Sequence, residues 1–144
     1  MDFFTAMDVS SSAMTAERTR MNLISSNLAN ANSTKTAEGG PYKRKDAVFS
    51  AAPVTESFGA ALNKAANGPT GVAVVQITED QNPPRLQYDP SHPDANGEGY
   101  VAYPNVNVVE EMADMIAATR AYEANVTATQ AAKSMALKTL EISR

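Results

Sequence analysis

The sequence has no cysteine and no tryptophan, and aromatic residues make up only 6% of its 144 residues. Without cysteine, the chain can form neither a disulfide nor a thiolate metal site. The single histidine, His92, lies in a turn-rich stretch. A zinc site there would lack its further ligands, and no catalytic set can be assembled around it. We therefore expect no metal ion, no cofactor and no enzymatic activity, and we interpret His92 as an ordinary loop residue.

Basic clusters and long hydrophobic runs are also scarce. The formal net charge is −4, and the only basic cluster, Lys43 to Lys45, is too short for nucleic-acid binding. No run approaches the ~20 apolar residues of a membrane-spanning helix. Met1 to Phe4 also lacks the features of a cleaved secretory signal. We expect no nucleic-acid partner, no direct lipid binding, and export without a cleaved signal peptide if the protein leaves the cytoplasm.

Acidic and glycine-rich stretches likewise show no catalytic or phosphate-binding pattern. Glu110 and Glu111 are adjacent, so on a helix they would point about 100° apart and would not face each other. We interpret them as favourable charges at the start of a helix. Glu79 and Asp94 lack the alternate spacing of a calcium loop. Gly39 and Gly40 do not lie in the frame of a phosphate-binding loop.

The first thirty or so residues predict a helix from about Asp2 to Asn30, with Asp2 as the N-cap. Serine, threonine and asparagine fill most positions between its apolar groups, so the helix should be marginal in water. Its apolar side chains form a narrow seam at near-heptad spacing, which suits either the protein's own core or, as we favour, a neighbouring molecule. The seam consists of Phe3, Met7, Met14, Met21 and Leu28.

The last thirty-five or so residues predict a longer helix. Asn107 and Glu110 form an N-terminal capping box, acidic residues follow, and lysines lie toward the far end. A group of Arg120, Tyr122 and Asn125 is typical of an interface, where a buried amide can fix register. The apolar seam comprises Val108, Met112, Met115, Thr119, Tyr122, Val126, Leu137 and Leu140.

The middle of the chain predicts short strands and turns. Strands are expected near 47–49, 71–78, 85–88 and 100–103, joined into one small sheet of three or four members. Residues 51–71 read as a loop or a short helix around 58–64. The fold class is therefore α+β, with long terminal helices forming a coiled-coil-like pair and a small central β-rich region of short strands and turns. The expected division is 1–32 for the first axial helix, 33–106 for the linker and β-rich part, and 107–144 for the second axial helix.

Several stretches resemble a known family. Ser-Ser-Asn-Leu-Ala-Asn-Ala-Asn at 25–32 resembles the N-terminal signature of the bacterial flagellar rod and hook axial proteins. Residues 120–126 and 133–140 resemble the C-terminal signature. The motifs at 40–45, 83–90 and 99–107, together with the short middle, resemble a proximal rod member more than a hook or distal rod member. The family often has Gly in its Ser-rich N-terminal motif where this chain has Ser12-Ala13-Met14, and alanine favours the helix.

The resemblance implies a structural subunit of the flagellar basal-body rod, located in the periplasm. Such a subunit polymerises through its terminal helices as part of the drive shaft and the wall of the export channel. The implied partners are copies of itself, other rod proteins and the flagellar type III export apparatus. We expect each terminal helix to lack a mate within its own molecule. Two alternatives remain: another axial protein, or a soluble helical adaptor or export chaperone that pairs its helices internally.

The candidate subunit-interface residues all lie on the two predicted helices or at their ends. They are Phe3, Met7, Met14, Met21, Asn27, Leu28, Asn30, Met112, Met115, Arg120, Tyr122, Asn125, Val126, Leu137 and Leu140.

Overall fold

A computed structural model describes residues 3–53 and 70–142. Its elements alternate between two long helices and four strands, which confirms the predicted α+β class. In chain order they are α1 (Phe3–Ala29), β1 (Lys45–Pro53), β2 (Thr70–Glu79), β3 (Arg85–Tyr88), β4 (Tyr100–Tyr103) and α2 (Val108–Ile142). The predicted N-cap Asp2 and the possible short helix at 58–64 lie outside the described residues.

Helix α1 packs against α2 on one side and against the β1–β2 hairpin on another. The two helices run antiparallel, because Arg18 lies beside Tyr122 whereas Asn27 lies beside Glu111. The expectation that each terminal helix lacks a mate within its own molecule is therefore wrong. The many polar residues of α1 had suggested a helix without a partner in its own chain. Some of these same residues form the contacts that hold α1 in place.

The side of α2 that faces α1 follows a heptad pattern of small and polar residues. Glu111, Ala118 and Ala132 are buried, and Asn125 between them is half-buried. These positions recur every seven residues, as the seam of an antiparallel helix pair requires. Alanine at these positions lets the two backbones approach closely, and the predicted coiled-coil-like pair is confirmed.

The strands form two separate two-stranded sheets rather than the single sheet we predicted. In the first, β1 pairs antiparallel with β2 from Lys45 opposite Glu79, with a bulge between Val48 and Phe49. In the second, β3 pairs antiparallel with β4. Pro83 and Pro84 separate the hairpins, and proline cannot donate to a strand ladder, so pairing does not continue from β2 into β3.

The β1–β2 hairpin is fastened to α1 by a side chain of the helix. The backbone N–H of Val72 donates to Ser12 Oγ at 3.0 Å, and Gly71 beside it is buried. Ser12 Oγ also donates to the carbonyl of Val9 at 2.7 Å. A residue with low helix propensity thus accepts a hydrogen bond that ties the strand to the helix.

Helix α2 begins as its capping residue predicts. Asn107 Oδ1 accepts a hydrogen bond from the N–H of Val109 at 3.2 Å, and the N–H of Glu111 donates to the Asn107 carbonyl at 2.9 Å. Glu110 is exposed, as expected for a charge at a helix start. Among the described residues, neither helix is apolar over a length sufficient to cross a lipid bilayer.

The turn between β3 and β4 is built from local hydrogen bonds. Ser91 donates to Asp89 Oδ1 through both its hydroxyl and its N–H, and these bonds lower the pKa of Asp89 below its ordinary value. His92 Nδ1 accepts from the N–H of Asp94 at 3.1 Å, and its ring lies 6.2 Å from that of Tyr103. The interpretation of His92 as a loop residue is confirmed.

Gly99 closes this turn in the left-handed region, with φ of 82°. A Cβ at this position would lie 2.9 Å from Cε2 of Tyr88 and 3.3 Å from Cβ of Pro90. We expect Gly99→Ala to destabilise the β3–β4 hairpin by about 1–3 kcal/mol, through backbone strain and displacement of the tyrosine ring. Hydrogen exchange of the amides of β4 measures the effect. Gly97→Ala is the control, since a Cβ there meets no atom within 4 Å.

Candidate functional site

A polar hub, formed by Asn27, Tyr42, Arg44 and Glu111, joins the two helices to the segment that enters β1. Asn27 is fully buried and uses both atoms of its amide. Its Nδ2 donates to the carbonyl of Lys45 at 2.9 Å and to Glu111 Oε2 at 3.1 Å. Its Oδ1 accepts from the N–H of Lys45 at 2.9 Å and from the Tyr42 hydroxyl at 3.0 Å.

Glu111 is the buried charge of the hub, with 1% of its surface exposed. Arg44 Nε donates to Glu111 Oε1, and the same guanidinium lies 3.3 Å from Asp46 and 3.8 Å from Asp114. Burial lowers the pKa of Arg44, but the hydrogen bonds and charges of Glu111 and Asp46 together outweigh it, so the pKa of Arg44 is raised above its ordinary value. The carboxylate is thus paired at both oxygens, as a buried charge must be.

The hub fixes one register between parts of the chain that are far apart in sequence. Only when Asn27 of α1 stands opposite Glu111 of α2 can the amide reach both the carboxylate and the Lys45 backbone. Any slip of one helix would leave a buried carboxylate or amide without partners, which costs more than the bonds contribute when made. We infer that the hub selects this arrangement over the alternatives that a seam of small residues would tolerate.

Asn27 was predicted to lie at a subunit interface, whereas here all its hydrogen bonds are made within its own chain. The prediction for Glu111 was favourable electrostatics at the helix start, whereas the structure buries it beneath α1 and Arg44. The missed signal was the heptad frame, since Glu111 precedes Ala118 by seven residues and therefore shares its face. Arg44 was predicted only to belong to a short basic cluster and to the 40–45 motif, without a structural role.

Apart from the buried Asn27, the predicted interface residues of α1 are half-buried within the chain. Met21 Sδ accepts a hydrogen bond from Thr119 Oγ1 at 3.7 Å, so at this point the seam faces α2. Asn30 Nδ2 donates to the carbonyl of Ser26 at 2.9 Å, which caps the end of α1. The remaining predicted seam residues of α1 are partly covered: Phe3, Met7, Met14 and Leu28.

The predicted interface residues of α2 divide into two groups. Tyr122 belongs to the helix pair, because its hydroxyl accepts from Arg18 Nη2 at 3.3 Å. Asn125 Nδ2 donates to the carbonyl of Ala121 in its own helix. Arg120 is exposed and pairs with Glu123 one turn along. The half-buried group also includes Met115 and Val126, whereas the exposed group also contains Met112, Leu137 and Leu140.

Two exposed apolar patches remain on the helix pair, at opposite ends. The hub-end patch is on α2 close to the hub and consists of Val109, Met112 and Ile116, which are 75%, 53% and 63% exposed. The tip patch lies where α1 begins and α2 ends. It consists of Phe4, Leu137 and Leu140, which are 71%, 53% and 66% exposed.

A long helix pair with one internal seam, a buried register lock and large exposed apolar side chains at both ends defines a subunit of a larger structural assembly.

Comparison with known proteins agrees with this class. The family model "Flagella basal body rod protein" matches residues 7–35, and "Flagellar basal body rod FlgEFG protein C-terminal" matches residues 98–142. The flagellar basal-body rod protein FlgC of Bacillus subtilis is 47% identical over the full length of both chains. Those of Borreliella burgdorferi and Escherichia coli O6:H1 are each 42% identical, over 99% of this chain and 98% of their own.

The chain belongs to the FlgC family of flagellar basal-body rod proteins. It is a structural subunit of the rod and is located in the bacterial flagellar basal body. The internal pairing of the two helices would by itself also have suited a helical adaptor or export chaperone. The family assignment decides against that alternative.

Proposed function

We propose that the protein polymerises through its helix pair into the wall of the proximal rod, next to copies of itself and other rod proteins. In this position it serves as part of the drive shaft and of the export channel, without catalytic activity and without a cofactor. Residues 1–32 and 107–144 form the axial part and residues 33–106 the outer part. The observation that carries the proposal is the pair of exposed apolar patches on a helix pair already locked in register.

The candidate interface residues take two roles in this proposal. The half-buried ones, such as Met21 and Tyr122, hold α1 against α2, as does the buried Asn27. The exposed ones, Met112 and Leu137 among them, contact neighbouring subunits, because large apolar side chains left in water gain most from burial on assembly. Methionine is suited to this, since its flexible side chain adapts to unlike surfaces.

Export is proposed to occur through the flagellar type III apparatus, in an unfolded state and without a cleaved signal peptide, to the rod in the periplasm. The hub is compatible with such passage, because it consists of ion pairs and hydrogen bonds that water can replace. The chain has no cysteine, so refolding after export requires no oxidation step.

Leu137→Asp tests the proposed assembly role. The side chain is 53% exposed, so the substitution should leave the free protein folded. A charge in a buried subunit contact should instead prevent incorporation into basal bodies and abolish swimming. Quantification of the protein in purified basal bodies, with circular dichroism of the free variant, separates the two effects.

Leu137→Met is the matched control, because it keeps the position apolar at similar volume and should support swimming. Normal incorporation of Leu137→Asp would contradict the proposed contact. Absence of the unmodified chain from purified basal bodies would contradict the proposed function as a whole.

A further inference from the structure

The turn between β3 and β4 contains Asn96 followed by Gly97, and both residues are exposed. This order matters chemically, because the backbone nitrogen that follows an asparagine can attack the amide carbon of the asparagine side chain. Most side chains at the following position hinder that attack, whereas glycine has no Cβ. A Cβ built at Gly97 would meet no atom within 4 Å beyond its chain neighbours, so the space around this nitrogen is open. The same dipeptide at 67–68 lies outside the described residues.

The turn holds the side-chain oxygen of Asn96 but not the two nitrogens that would react. Asn96 Oδ1 accepts from the N–H of Glu98 at 3.0 Å and from the N–H of Tyr100 at 2.8 Å. Two N–H donors at such distances stabilise the negative charge that develops on a carbonyl oxygen under attack. Neither Asn96 Nδ2 nor the N–H of Gly97 makes a hydrogen bond to the part of the chain that the structure describes.

We propose that Asn96 is a site of spontaneous deamidation in the folded protein, with water as the co-reactant. The nitrogen of Gly97 loses its proton to solvent and bonds to Cγ of Asn96. The bond from Cγ to Nδ2 then breaks, and Nδ2 takes up a proton and leaves as ammonia. The resulting cyclic succinimide adds one water molecule and opens at either of its two carbonyl carbons. One opening gives aspartate and the other gives isoaspartate.

The two products should differ in their effect on the hairpin. Aspartate keeps an oxygen at the position of Oδ1, so the hydrogen bonds from Glu98 and Tyr100 remain possible. Isoaspartate inserts an additional carbon into the main chain. At this residue the N–H donates to the Tyr100 carbonyl and the carbonyl accepts from the N–H of Gly99, each at 2.9 Å. A lengthened main chain breaks this pattern, so we expect isoaspartate alone to open the turn.

The test follows the purified, folded full chain during incubation at mildly alkaline pH. Trypsin releases residues 86–120 as one peptide, and mass spectrometry of its fragments locates each side-chain amide that has become an acid. The same peptide contains Asn105 and Asn107 as internal references. Each of them precedes a valine, whose branched Cβ hinders attack by its nitrogen. Methylation by an isoaspartyl methyltransferase measures the isoaspartate fraction.

We expect Asn96 to convert about tenfold faster than Asn105 or Asn107, which corresponds to about 1.4 kcal/mol in the barrier. Gly97→Ala should slow the conversion by a similar factor and keep the fold, because its Cβ hinders the nitrogen but meets no other part of the chain within 4 Å. Hydrogen exchange of the β4 amides should be faster in the isoaspartate fraction and unchanged in Asn96→Asp.

The chain unfolded in urea gives the reference rate for the same dipeptide without the turn. Conversion of Asn96 in urea but not in the folded chain, with folding verified by circular dichroism, would overturn the proposal, because the turn would then protect the amide. Equal rates in Gly97→Ala and the natural chain would overturn it as well, since the reaction would not pass through the nitrogen of residue 97.

Discussion

Glu111→Ala is expected to destabilise the folded chain by about 3 kcal/mol, at the low end of the cost of breaking a buried ion pair. The substitution leaves Arg44 with only Asp46 and Asp114, and it leaves one N–H of the Asn27 amide without its acceptor. Since small domains have about 5–15 kcal/mol of stability in total, this is a large fraction. The midpoint of urea unfolding, followed by circular dichroism at 222 nm, measures the effect.

Glu110→Ala is the matched control for this prediction. It removes the same side chain from the adjacent position of the same helix, but Glu110 is exposed. Loss of a favourable charge at a helix start should cost at most about 1 kcal/mol. Equal losses in the two variants would show that Glu111 acts only through helix-start electrostatics, and the hub would then lose its proposed role.

Asn27→Asp should have the largest effect of any substitution that preserves shape, about 4 kcal/mol at pH 7. The change replaces the donor Nδ2 with an oxygen. In the natural chain, Nδ2 lies 3.1 Å from Glu111 Oε2 and 2.9 Å from the Lys45 carbonyl oxygen. Two attractive contacts become repulsive, and a second carboxylate enters a site that holds a single guanidinium.

The loss should depend on pH in a stated direction. A carboxylate placed beside Glu111 has a pKa raised above its unfolded value of about 3.9, because like charges disfavour ionisation. The folded variant therefore binds more protons than the unfolded one, and its stability falls as pH rises. Urea unfolding at about pH 4.5 should show a smaller deficit relative to the natural chain than at pH 7.

Asn22→Asp serves as the control, because Asn22 is exposed on the same helix and the change should stay within about 0.5 kcal/mol. A deficit of Asn27→Asp that does not shrink on acidification would argue against direct repulsion from Glu111. The loss would then come from the Asn27 hydrogen bonds alone.

The two short strands β3 and β4 were predictable from sequence because neighbouring residues set where they begin and end. Residues 85–88 and 100–103 form strands at the predicted positions, with Pro84 before the first and Pro104 after the second. Proline cannot donate to a ladder, so at these two positions it marks where the pairing stops. The sheet arrangement was mispredicted, because strand pairing depends on where the helices hold each hairpin.

Only part of the hub could be recognised from the sequence. Asn27 stood within a recognisable motif, whereas Glu111 looked like one of two similar acids at a helix start. Glu110 and Glu111 differ in burial because only one side of α2 is covered. Which side is covered depends on Asn27 and Arg44, both more than sixty residues earlier in the chain.

The sequence by itself determined the two helices, the strands β2 to β4 and the family, because caps, prolines, residue periodicity and signature motifs act over a few residues. Strand β1 runs to Pro53, into a stretch predicted to be a loop or short helix. The tertiary structure alone decided that the helices pair within one copy, that Glu111 is buried, and that apolar side chains stay exposed at both ends. Burial is a property of contacts between distant segments. The same methionine spacing suits an internal seam or a neighbour, and only the packed chain distinguishes Met21, which faces α2, from Met112, which faces outward.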